Sequence, residues 1–130
     1  MKMVIKARLE KAKRAAIKHD WCYADDELQK MLLQTTDDEQ QSIGLALLLL
    51  ATDCEKLKLS EIALWAYAWV VKVTPTHAAP YLRLAAHYER IGQRQTALEW
   101  LKRGIEMDAT SGGGGIQQLQ RTYRRLYAGS

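Results

Sequence analysis

The chain has 130 residues, 48% hydrophobic and 26% charged, with a formal net charge of +4. That is the size of one domain with an ordinary globular composition, which excludes disorder over most of its length. The folded surface expected for this mass is roughly 7,000 Å² against roughly 21,000 Å² unfolded, so one core can form without metal or disulfide staples.

Phe and Asn are absent and there are only two Pro. The scarcity of these turn formers favours helices over a strand-and-turn fold, and without Asn there is no N-glycosylation site. The longest apolar run, Ile43 to Ala51, spans nine residues including Gly44, whereas a bilayer needs about 20. The basic start lacks a following apolar stretch, so no secretory signal is expected; it is also Lys-rich and Ser-free, unlike a mitochondrial presequence. Cys22 and Cys54 are widely spaced and read as reduced thiols, which together point to the cytoplasm.

Residues 3–18 read as a Lys-rich amphipathic helix with Val4, Ala7, Leu9, Ala12, Ala15 and Ala16 on its less polar side. A second helix is expected over 25–35, its start marked by Asp25-Asp26-Glu27 at the positive end of the macrodipole, with Trp21 and Tyr23 in the connection. A third runs from Asp37 to about Leu57. Its Leu47–Leu50 stretch is apolar nearly all round, as for a helix sandwiched between neighbours. Ser60 is the expected N-cap of a fourth, which carries Trp65, Tyr67 and Trp69. A fifth helix presents Tyr81, Leu84, Tyr88 and Ile91 on one face. Gly92 turns the chain into a sixth. Gly112–Gly115 breaks the helical order, and Ile116, Leu119, Tyr123, Leu126 and Tyr127 define a seventh over 116–128. The Gly run reads as a break before a capping helix, or else as a tether or an engineered linker.

One offset recurs. Leu47/Tyr81, Leu50/Leu84, Ala51/Ala85, Cys54/Tyr88, Ala63/Ala97, Tyr67/Leu101 and Pro75/Ala109 are all separated by the same interval. The pattern resembles the tetratricopeptide repeat (TPR) family, which has an aromatic, a Leu-Gly pair, a Tyr, a small Ala, an aromatic and a Pro over a period of about 34 residues. The resemblance covers 44–111, as repeats 44–77 and 78–111. Residues 1–43 read as a divergent helix pair, with Ala16 and Leu28 preceding Ala51 and Ala63 by one position more than that interval. The expected fold is therefore all-α: a single domain, an antiparallel helix-hairpin solenoid of about three TPR-like repeats plus a C-terminal capping helix.

No catalytic constellation stands out. Gly-x-Gly-x-x-Gly, phosphate-loop and Gly-x-Ser-x-Gly patterns are missing. His19, His77 and His87 lack partners at metal-ligand spacing, so no enzyme activity, metal or cofactor is expected. The TPR resemblance implies instead that a protein or peptide partner lies in a concave groove lined by Leu45, Leu48, Thr52, Leu82, Ala86 and Glu89. These residues are unlike the Lys, Asn and Arg set with which one TPR subgroup clamps a C-terminal carboxylate, and they suit a hydrophobic strand or an amphipathic helix. Small stand-alone TPR proteins also resemble the chaperones of bacterial secretion systems, which hold an aggregation-prone subunit.

Two alternatives remain. Charge is laid out as +5 over 1–20, −6 over 21–61 and +5 over 62–130, which favours head-to-tail assembly into a homo-oligomeric scaffold. Arg121-Thr122-Tyr123-Arg124-Arg125 has the elements of an RNA contact but reads more simply as a solvated basic face.

Overall fold

The computed structural model describes residues 3–107 and 115–129. Ala109, Ser111 and Gly112–Gly114, on which the expected repeat exit and the tether reading fall, lie outside them. The described residues form seven helices and no strand: α1 (Met3–Ile17), α2 (Trp21–Leu33), α3 (Asp37–Lys56), α4 (Ser60–Val73), α5 (Ala78–Arg90), α6 (Arg94–Glu106) and α7 (Gly115–Ala128). They fall into two compact units, Met1–Ala66 and Tyr67–Ser130.

In the first unit α1 packs on α2, burying Ile5, Leu9, Ala12, Ala15 and Ala16 on one helix and Ala24, Leu28 and Met31 on the other. α2 begins ahead of the acidic run. Asp20 is its N-cap, with the side chain accepting from the Tyr23 amide at 3.4 Å, and capping an otherwise unpaired amide marks the start more strongly than a charge–dipole preference. Trp21 and Tyr23 thus lie in the first turn, not in a connection. Asp25 reaches across to another helix, where its Oδ1 accepts from the Trp65 indole N–H at 2.8 Å. α3 opens with a reciprocal capping box between Thr36 and Glu39. It buries Ile43, Gly44, Leu47, Ala51 and Cys54 and leaves the far side open, so it is not enclosed all round. Both cysteines are free thiols, and burial pushes the Cys54 thiol above its ordinary range.

In the second unit α5 packs on α6, and α7 lies on α6 and touches α5. Gly104 of α6 makes the approach close: a Cβ there would sit 2.9 Å from Tyr81 Cγ and 3.1 Å from Leu119 Cδ1. Tyr81 is buried and its hydroxyl donates to the Pro75 carbonyl at 2.7 Å. Burial raises its phenol above the ordinary value. Leu119 and Leu126 are the buried residues of α7. Ile91 is exposed instead of extending the buried stripe of α5, because the helix ends at Arg90 and Ile91 is its C-cap.

Three interhelical turns share one geometry. After α1, α3 and α5 a single residue takes a left-handed conformation: His19 (φ 60), Lys58 (φ 63) and Gly92 (φ 83). In each, that residue and the next donate back into the helix: His19→Ala16 and Asp20→Ala15, Lys58→Glu55 and Leu59→Cys54, Gly92→Glu89 and Gln93→Tyr88. This pair of hydrogen bonds satisfies terminal carbonyls and stops the helix. Counted from these turns, Ala12, Ala51 and Ala85 are equivalent and all buried, as are Ala24, Ala63 and Ala97. The step from Lys58 to Gly92 equals the interval that recurs in the sequence, whereas the step from His19 to Lys58 is longer. The equivalents in the first pair are therefore Ala12 and Ala24, not Ala16 and Leu28. The longer step follows from α3, which has 20 residues against 13 in α5.

Candidate functional site

The residues expected to meet a partner fall on two helices, one in each unit. On α3, positions 45, 48, 49 and 52 share one face by helical spacing. Leu45 is 56% exposed and Leu49 58% exposed. Leu48 and Thr52 are half-buried between them and the core, and the Thr52 hydroxyl donates to the Leu49 carbonyl at 3.0 Å. Its donor is used within the helix, so this face presents mainly hydrocarbon. Two leucines one turn apart thus face solvent side by side.

On α5, Leu82 is half-buried, Ala86 exposed and Glu89 half-buried. Glu89 accepts a two-pronged hydrogen bond from the Arg125 guanidinium of α7, at 3.0 and 3.3 Å, which raises the arginine further above its ordinary value. Arg94 donates to the carbonyl of Gly129, just past the end of α7, at 3.3 Å. Glu89 is therefore engaged by its own chain. Where α3 has Leu45 and Leu49, the corresponding positions of α5 are Ala79 and Arg83. Leu49, absent from the expected set, is signalled by its place one turn after Leu45.

The remaining clusters each lie within one unit. His19 stacks on Trp21 with ring centroids 5.1 Å apart, Trp21 lies 6.2 Å from Trp65, and His19 Nδ1 is 3.4 Å from a Glu61 carboxylate oxygen. These contacts tie the α1–α2 turn to the start of α4 inside the first unit. On α7, Tyr123 stacks on Tyr127 at 6.0 Å. Arg121 and Arg124 are exposed, while Arg125 is held by Glu89. No group of three or more His, Cys, Asp or Glu able to hold a metal occurs among the described residues, and no helix among them is long and apolar enough to cross a membrane.

No family model, curated protein or solved structure matches the chain.

Proposed function

We propose that this chain is a TPR-like helical-repeat module, a non-catalytic adaptor or chaperone of the cytoplasm, that holds a hydrophobic strand or amphipathic helix of a partner protein against α3. The recurring turn at His19, Lys58 and Gly92, with its buried alanines at matching positions, supports the repeat reading. The exposed Leu45–Leu49 pair carries the binding reading. An apolar anchor on one helix face suits a partner that brings its own apolar side chains at helical or strand spacing.

The test is a photo-crosslinking residue at position 49 in the native host, run beside the Leu45→Glu/Leu49→Glu variant and light scattering of the purified protein. One protein should crosslink at that site, and affinity for it should fall about a hundredfold or more in the variant, because burying each leucine is worth roughly 1.5–3 kcal/mol. Helicity should not change, since neither side chain is in the core. If the wild type forms a defined homo-oligomer that the variant splits, and nothing else crosslinks, the occupant is a second copy and the chain is a scaffold. Unchanged affinity with unchanged helicity would remove α3 from the site.

A further inference from the structure

The side of α1 turned away from α2 combines two properties that the packing does not use. With 3.6 residues per turn, Met3, Ala7, Glu10, Arg14 and Ile17 run along the middle of that face. Lys6 and Lys13 form one edge, and Lys11 and Lys18 the other. Met3 is 87% exposed and Ile17 57% exposed, and Val4 beside them is also exposed. The acidic residue of α1 on the face, Glu10, is taken by Lys13 at 3.1 Å, and Asp20, which lines the adjoining hollow, accepts from the Tyr23 amide. No ion pair among the described residues holds Lys6, Lys11, Arg14 or Lys18. Tyr23, from the first turn of α2, lines the same hollow as Lys11, Arg14 and Lys18 and is 44% exposed.

We propose that this face of α1 lies against a bilayer surface bearing anionic headgroups. A cationic face on which Met3, Ala7 and Ile17 lie among the long stems of Lys6, Lys11, Arg14 and Lys18 lets those stems lie over hydrocarbon while their charged ends reach the headgroups. Each unpaired cation near such a surface gains attraction that falls off within a Debye length. Tyr23 suits the same depth, with an apolar ring and a polar tip. The face is a poor reader of nucleic acid or of a peptide backbone: residues 3–18 contain no Ser, Thr, Asn or Gln, and large apolar residues at both ends contribute nothing to phosphate contacts. α1 is already held as a helix by α2, so attachment needs no ordering step. This is peripheral attachment and is independent of the α3 site.

Co-sedimentation of the full chain with vesicles tests it, comparing pure phosphatidylcholine with phosphatidylcholine containing phosphatidylserine. The protein should pellet only with the anionic vesicles, and added salt should release it. Replacing Lys6, Lys11 or Lys18 singly by Gln should lower partitioning about fivefold each, and replacing them by Arg should preserve it. Met3→Ser/Ile17→Ser should weaken binding to the same vesicles at every salt concentration, which a purely ionic contact would not do. Circular dichroism checks that the variants remain helical. No phosphatidylserine-dependent pelleting, or pelleting that the triple Lys→Gln variant retains, overturns the proposal. So does charge-dependent binding of a single-stranded oligonucleotide or a poly-glutamate peptide in the absence of vesicle binding.

Discussion

α3 and α5 match in their buried residues yet offer different surfaces. Their buried residues correspond at one constant interval, and both helices end in the same left-handed turn. α3 shows two open leucines, whereas α5 has Ala79 and Arg83 at those positions and its Glu89 is bonded to Arg125. The residues that repeat are the ones that pack: the alanines at 51 and 85, and at 63 and 97. The residues that do not repeat are the ones facing out. Correspondence among the packed residues therefore does not carry over to the exposed faces, which the differing side chains set. In the second unit, part of what separates the two helices is α7, which engages the end of α5.

The seat of α7 is the sharpest point at which to probe this difference. At the corresponding positions of α2 and α4, Met31 and Val70 are fully buried, so the shared interval does not by itself require glycine there. The requirement comes from Tyr81 on one side and Leu119 on the other. Gly104→Leu should destabilise the protein by roughly 3 kcal/mol, outweighing the helix-propensity gain of about 1 kcal/mol on removing glycine. Denaturant titration would show the loss. Hydrogen exchange should place it in α5, α6 and α7, with the amides of α1 and α2 protected as in the wild type. A neutral substitution would mean that α7 does not sit so close.

Most helices are legible in the sequence because their buried stripes are strong. α3 is expected from Asp37, and Thr36 caps it there; Gly92 is expected to turn the chain and does so with positive φ. The start of α2 is misplaced by sequence reasoning because an acidic run and a cap compete as signals, and the cap decides. The longer first step between turns is hidden by the length of α3, which a fixed period does not anticipate. Gly104 carries no signal, since its reason lies in Tyr81 and Leu119 on two other helices. The Trp65–Asp25 bond joins residues 40 apart, a separation that no local pattern encodes. The expected site residues do share faces on α3 and on α5, because helical spacing alone sets that. Whether each is open depends on tertiary partners such as Arg125.

The three like turns allow a second comparison, with smaller effects. A Cβ at Gly92 would meet nothing within 4 Å, so glycine is needed there only for its backbone conformation. Gly92→Ala should therefore cost about 1–2 kcal/mol through the left-handed strain of an L-residue. Lys58 already bears that strain, and Lys58→Gly should stabilise by about 0.5–1 kcal/mol, less because glycine also gains freedom in the unfolded chain. Opposite signs at two equivalent turns, read from denaturation midpoints, would show that the turns are the same structure built from different residues. Equal signs would show that they are not.

The smallest effect expected is at the ion pair that distinguishes α5 from α3. Arg125 and Glu89 are 63% and 34% exposed at their side chains, so water and salt screen most of their attraction. Arg125→Met keeps the apolar stem and removes the two hydrogen bonds. The denaturation midpoint should hardly move, because Leu119 and Leu126 still bury α7. Amide exchange in α7 should quicken at low salt, and high salt should erase the difference from the wild type. Freeing Glu89 in this way leaves Ala79 and Arg83 where α3 has leucines. Arg125→Met combined with Leu45→Glu/Leu49→Glu should therefore recover none of the partner binding lost from α3. Recovery would mean that α7, rather than the missing leucines, keeps α5 from binding.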